Sequence, residues 1–185
     1  MVEVESTELS DVKIIRTKLF VDARGHFMET YNREAFAAAG IRDEFVQDNT
    51  SLSTAVGTIR GLHFQSAPFA QAKLVRVVRG RILDVAVDLR RSSPTYGQHV
   101  AVELTAENRL QLFIPVGFAH GFCTLEPNTE VAYKVTAHYS AAHDHGVAWN
   151  DQTLRIDWPV DPQRAILSDK DTRYPSLVEL PDYFP

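Results

Sequence analysis

Through most of the chain, apolar side chains recur at every second position in short runs, the period of a strand with one buried face. Leu83, Val85, Val87 and Leu89 alternate with Asp84, Ala86 and Asp88. Val131, Tyr133, Val135, Ala137 and Tyr139 alternate in the same way with Ala132, Lys134, Thr136 and His138. Runs of this kind predict strands over residues 44–51, 57–65, 71–79, 81–90, 97–104, 110–114, 118–124 and 130–139. Turn signals such as Arg79-Gly80, Ser92-Ser93-Pro94 and Glu126-Pro127-Asn128 separate them. Residues 12–31 predict one or two further strands around a turn at Asp22-Ala23-Arg24-Gly25. Asn32 to Gly40 predicts a short helix: Asn32 can cap it, Arg33 to Ala39 are mostly good formers, and Gly40 ends it. The tail from about residue 150, with Trp149, Trp158, several prolines and Lys170-Asp171, predicts short helices and irregular chain wrapped round the strands. The expectation is an all-β jelly-roll-type barrel, an architecture able to hold one small ligand inside.

Within that pattern, Arg60 to Lys73 carries the densest candidate chemistry. Gly61, His63 and Gln65 share one strand face, while Leu62 and Phe64 take the other. Lys73 is in phase with Val75 and Val77, so its ammonium enters an otherwise apolar face. Inward-facing histidine and lysine are costly unless paired or used. Their purely structural alternative is a satisfied core histidine and a lysine reaching out to water. Arg60 and His63 are three positions apart and fall on opposite faces of a flat strand, but a bulge or bend at Gly61 turns both toward one side.

Composition narrows the picture without choosing a chemistry. The 185 residues, 44% hydrophobic and 23% charged, fit one domain over 1–185 with a substantial core. A net charge of −5 argues against nucleic acid or an anionic membrane as partner. The single Cys123 excludes an internal disulfide and a multi-cysteine zinc site, and reads as a small buried residue. No apolar run is long enough to span a membrane, and Met-Val-Glu-Val-Glu lacks the basic and apolar regions of a signal peptide, so a cytoplasmic location is expected.

Two histidine segments, His63-x-Gln65 with Lys73 and Gly80 downstream and Pro115-x-Gly117-x-x-His120, resemble those of the cupin barrels. Where metal-binding cupins have a second histidine and a glutamate, this chain has Gln65 and Lys73. A protonated lysine repels a divalent ion, so no metal is expected. The resemblance then becomes specific. Asp22-x-Arg24-Gly25-x-Phe27-x-Glu29, Val46-Gln47-Asp48-Asn49, Arg60 to Gln65, Ala72 to Val75, Asp84 to Arg90, Ser93 to Gly97, Ile114 to Phe122, Tyr133-Lys134, Trp149-Asn150-Asp151 and Leu167-Ser168-x-Lys170-Asp171 occur in the order of the dTDP-4-dehydrorhamnose 3,5-epimerase family, which the chain resembles from residue 22 to 171.

That resemblance implies roles for matching residues. His63 is similar to the family's base, Asp171 to its carboxylate partner, Tyr133 to the acid across the sugar, and Lys73 to the cation beside the enolate oxygen. Arg24, Glu29, Gln47, Asn49, Arg60, His120 and Lys170 match positions that bind sugar, diphosphate or base, and Phe27 and Tyr139 match aromatic contacts near the thymine. The family usually has Glu before Gly in the loop after Tyr139; here Asp144 stands two residues before Gly146 as the corresponding binding candidate. A dTDP-4-keto-6-deoxyhexose substrate, no cofactor and a homodimer follow from the same resemblance. His99, His138, His143 and His145 match no catalytic motif and are assigned to the surface.

The residue types fit the chemistry independently. Protons at C3 and C5 of a 4-keto sugar are both alpha to the carbonyl, and removing either builds charge on O4 that a fixed cation stabilises. A carboxylate-held histidine is a base near neutral pH. A C3- or C5-only epimerase, an isomerase that moves the carbonyl and a non-catalytic sugar-nucleotide-binding cupin are the alternatives at this stage.

Overall fold

Of the alternating strands, the one at residues 81–88 turns out to be buried on both faces, while the one at 129–135 keeps a half-buried side. The computed structural model describes residues 2–185. Its strands are β1 (Val2–Ser6), β2 (Lys13–Thr17), β3 (Leu19–Asp22), β4 (Gly25–Met28), β5 (Gln47–Ser53), β6 (Ile59–Gln65), β7 (Lys73–Arg79), β8 (Arg81–Asp88), β9 (His99–Thr105), β10 (Gln111–Ile114), β11 (Phe118–Thr124), β12 (Thr129–Val135) and β13 (Asp144–Gly146). They form a sheet in the order β1-β2-β10-β7-β12-β5, a second in the order β13-β6-β11-β8-β9, and a separate hairpin β3-β4. All the ladder pairings are antiparallel. Helix α1 (Arg33–Ala38) is capped by the Asn32 side chain, which accepts from the Ala35 amide at 3.1 Å, as its sequence predicts.

Three apolar clusters hold these layers. Val75, Val77, Val131, Ile82, Ala86, Phe118 and Phe122 fill the space between the sheets. Leu62, Phe64, Val85, Val87, Trp149 and Trp158 join the smaller sheet to the C-terminal wrap. Phe36 and Ile41 cover Leu74 and Phe113 on the outside of the larger sheet. Leu62 and Phe64 thus face away from His63, as the period-2 pattern requires.

The differences from the sequence reading lie at strand ends and edges. The strand predicted over 44–51 starts at Gln47 and runs on to Ser53, and the one over 130–139 leaves the sheet after Val135. Residues 12–31 resolve into β2 and the β3-β4 hairpin. Strand β1 lies outside the predicted elements, although Val2 and Val4 alternate with Glu3 and Glu5, and so does β13, where Asp-His-Gly has no apolar period. The polar side of β8 is not a solvent face: Asp84 and Asp88 are fully buried because β8 lies inside its sheet with a cluster on each side. Burial pushes the Asp88 carboxyl up, but bonds from Arg90, Thr95 and Ser93 outweigh it and bring its pKa to about 2. His145 is not a plain surface residue either; it stacks on Tyr183 at 4.3 Å. Among the described residues no helix is long and apolar enough to cross a membrane.

The feature that shapes the site is an extra residue in β6. His63 lies opposite His120 and Arg60 opposite Phe122, so three steps on β6 match two on β11. Gly61 absorbs the surplus at φ +130°, and a Cβ there would sit 2.6 Å from Gly121 Cα and 2.8 Å from the His120 carbonyl oxygen. Arg60 and His63 therefore share one wall, as a bulge at Gly61 would have it. Gly61→Ala must push backbone against backbone and adopt a disfavoured φ. It should lower stability by at least about 2 kcal/mol in urea unfolding, the range of strained-backbone substitutions.

Candidate active site

A cavity of about 370 Å³ opens between the two sheets. Arg60, His63, His120 and Phe122 line it from the smaller sheet, Ser51, Lys73 and Tyr133 from the larger, and Ser168, Lys170 and Asp171 from the wrap. His63 and Tyr133 thus stand on opposite walls.

His63 Nε2 lies 2.6 Å from Asp171 Oδ1, the two residues being 108 positions apart. Asp171 sits on one turn of 3-10 helix, Asp171–Arg173, with its amide bonded to Ser168 Oγ at 3.2 Å. Burial pushes its carboxyl up, but the bond and charge of His63, with help from Ser168 and the Gly61 amide, hold it below its ordinary value. An ionised carboxylate only accepts, so a neutral His63 carries its proton on Nε2 and leaves Nδ1 with a free lone pair. The Tyr174 ring meets the imidazole edge-on, centroids 5.7 Å apart, and limits its rotation.

Lys73 is 7% exposed and donates to the His63 carbonyl oxygen at 3.3 Å. Burial lowers its pKa to about 8, against the attraction of Asp144 and Asp84, so it remains cationic at neutral pH. Asp84, which no sequence signal marks as a site residue, is fully buried behind His120. Its Oδ1 accepts from His120 Nε2 at 2.7 Å, and its buried Oδ2 has no hydrogen-bond partner among the described residues. Burial lowers the His120 pKa more than Asp84 raises it, which favours a neutral ring that donates through Nε2 and can accept through Nδ1. Asp84 was legible only as the polar half of an alternating strand; which side of the sheet that half faces is a tertiary fact.

On the far wall, burial raises the Tyr133 phenol against the opposing charge of Arg60, so the hydroxyl keeps its proton. Arg60 is held by Ser53 Oγ and the Leu52 carbonyl, both at 3.0 Å. Asn49 pairs with Tyr133 in register and accepts from Gln47 Nε2 at 2.8 Å. At the mouth, Asp144 accepts from Tyr139 Oη at 3.1 Å and from Lys170 Nζ, so the shorter Asp side chain still joins those two residues. Burial alone would lower the Lys170 pKa, but Asp144 and Tyr174 hold it above the ordinary lysine range.

Arg24, Phe27 and Glu29 are not brought to this cavity. Arg24 is at the hairpin tip, its side chain 90% exposed and paired with Asp22 at 2.6 Å, and Phe27 is 67% exposed. Gln65, in phase with His63, turns its carboxamide into the loop around residues 138–140 instead of the cavity. Cys123 is buried, as expected, and burial lifts its thiol pKa to about 11.

The family model for dTDP-4-dehydrorhamnose 3,5-epimerase matches residues 6–179. A dTDP-4-dehydrorhamnose 3,5-epimerase of Sinorhizobium fredii is 51% identical over 180 residues, 97% of this chain and 92% of that protein. The crystal structure of the Bacillus anthracis dTDP-4-dehydrorhamnose 3,5-epimerase with TDP and PPi bound superposes with a TM-score of 0.92 at 52% identity, covering 95% of this chain and 99% of that one. An epimerase from Legionella pneumophila in complex with dTDP-4-keto-L-rhamnose also gives 0.92, at 41% identity, covering 97% and 95%.

The buried ammonium supplies a test. Because the Lys73 pKa falls from 10.5 to about 8 on folding, the unfolded chain binds that proton more tightly. The charge costs stability below pH 8, and the cost fades as pH rises from 8 toward 10.5. Lys73→Met should therefore be more stable than wild type at pH 7, by up to about 3 kcal/mol at 1.36 kcal/mol per pKa unit. Urea unfolding at pH 7 and at pH 10.5 should show that gain shrinking.

Proposed function

The chain belongs to the dTDP-4-dehydrorhamnose 3,5-epimerase family, and from that membership we propose how its own residues invert C3 and C5 of dTDP-4-dehydro-6-deoxy-D-glucose to give dTDP-4-dehydro-L-rhamnose. The observation that carries the proposal is the placement of a carboxylate-held imidazole and a protonated phenol on opposite walls of one cavity.

His63 Nδ1 takes the proton from C3 or C5, and the C–H electron pair moves into the ring to form the enolate. Negative charge gathers on O4, where the buried Lys73 ammonium stabilises it. Asp171 offsets the positive charge that appears on His63. Tyr133 returns a proton to the carbon from the other face, which inverts the centre. Arg60 lowers the cost of the tyrosinate that remains until solvent reprotonates it, and solvent likewise removes the proton from His63. The cycle then repeats at the second carbon. No electrons are gained or lost overall, so the route calls on no redox cofactor. His120, Gln47, Asn49 and Lys170 are assigned to the sugar and diphosphate, and Tyr139 to the thymine face.

Two tests follow. In heavy water, wild type should place deuterium at both C3 and C5, while exchange at one carbon alone would make it a single-centre epimerase. Tyr133→Phe should wash deuterium into the substrate with retention faster than it makes inverted product. His63→Ala should do neither, losing the 10²–10⁴-fold or so that a general base supplies. Epimerisation by Tyr133→Phe at the wild-type rate would move the acid to another group.

Arg24, Phe27 and Glu29 enter the proposal through a second copy of the chain. Their hairpin exposes Phe20, Val21 and Phe27, an apolar group that a monomer has little reason to present to water. We infer a homodimer in which β3-β4 of one protomer completes the mouth of its partner's cavity. Mixing an inactive His63→Ala protein with an inactive Arg24→Ala/Phe27→Ala protein should then restore activity, because one cavity of each mixed dimer is intact. No recovery after confirmed subunit exchange would place the hairpin at its own protomer's cavity.

A further inference from the structure

Strand β12 stops at Val135, yet the backbone beyond it is paired. The Thr136 amide donates to the Ala72 carbonyl at 3.2 Å, and Thr136 Oγ1 accepts from the Ala72 amide at 2.8 Å. After that no neighbouring strand remains, and three glutamine side chains take its place. Gln71 Nε2 donates to the Ala137 carbonyl at 2.7 Å. Gln65 Nε2 donates to the His138 carbonyl at 3.2 Å and to the Phe69 carbonyl at 2.7 Å. Gln47 Oε1 accepts from the Tyr139 amide at 3.1 Å, and Gln65 Oε1 accepts from the Ser140 amide at 2.8 Å. A carboxamide carries a donor and an acceptor in one plane, as a peptide group does, so it can stand in for a strand partner.

Gln65 is the centre of this arrangement. It is 3% exposed, lies two residues after His63 on β6, and directs all of its bonds to loop backbone. What those bonds hold is Tyr139, which is 61% exposed and is joined through Asp144 to Lys170 of the cavity lining. An exposed ring has few packing contacts to fix its direction. Its backbone and the hydroxyl bond to Asp144 must do so. A flat face ordered before binding spares the ligand the entropy of ordering it.

We propose that Gln65 is a positioning residue for the nucleotide: with Gln47 and Gln71 it fixes residues 137–140 so that Tyr139 stands ready for the nucleobase. This rests on the reading of Tyr139 as the thymine platform. It adds a direct link, through one strand, between the base that removes the proton and the face that seats the nucleotide.

Gln65→Met keeps the length and removes the bonds. Its test compares inhibition by dTDP with inhibition by inorganic pyrophosphate, alongside kcat and KM. The variant should weaken dTDP and raise KM about tenfold, in line with the loss of buried hydrogen bonds, with pyrophosphate inhibition and kcat changed less than about twofold. Combined with Tyr139→Ala, it should add no further loss, since it acts through that ring. Equal weakening of dTDP and pyrophosphate, or additive losses with Tyr139→Ala, overturns the proposal. If Tyr139→Ala alone leaves dTDP inhibition unchanged, the platform reading falls and the proposal with it. Should Gln65→Met not fold, Gln71→Met at a half-buried position is read by the same comparisons.

Discussion

His63 depends on a strand that is held on every side. Along its edges β6 bonds to β11 and β13; one face sends Leu62 and Phe64 into the cluster under the wrap, and the other lines the cavity. A strand so constrained cannot slip its register without driving an imidazole into the core and a leucine into the cavity. The extra residue at Gly61 is tolerated only because Gly121, opposite, has no side chain either. The two glycines let the backbones approach closely enough for Arg60 and His63 to face the same cavity.

The interior electrostatics follow from the same closure. Between the sheets lie an ammonium, a neutral imidazole and a fully buried carboxylate, in a region that otherwise holds valine and phenylalanine. None of these groups would be stable there alone. Asp84 holds His120 by a hydrogen bond and Lys73 by its charge, which leaves the Lys73 ammonium as the group that favours negative charge beside it. Its desolvation is a cost to the empty protein and, on the proposed mechanism, an advantage to an enolate.

Much of this could be read from the residues in order. The period-2 runs located the central strands and placed Lys73 and Tyr133 facing inward, because a strand interior leaves only two choices of side. Asn32 and Gly40 bracketed the helix through local chemistry. What escaped had no local signature. Asp84 looked like a solvent-facing residue, because alternation says that two faces differ but not that both are covered. Tyr174 and Gln65 act through neighbours set by the wrap and by a loop, and Asp-His-Gly forms a strand only because β6 offers an edge. The hairpin residues Arg24, Phe27 and Glu29 were identified by family resemblance, yet nothing in their spacing says which cavity they serve.

The proposed catalytic pair, His63 and Asp171, spans 108 residues, with the imidazole on an interior strand and its carboxylate in the C-terminal wrap. Such a contact closes late, since the entropy of a long loop must be overcome before it forms. During synthesis strands β1 to β12 can pair while His63 still lacks its partner and the cavity still lacks the wall that residues 166–171 supply. On the proposed mechanism, proton abstraction therefore matures after strand pairing does. On that mechanism, a chain whose strands have paired but whose tail has not docked lacks both the carboxylate and one wall of the container, so activity reports completion of the whole molecule, where spectroscopic signals of strand formation report only its scaffold.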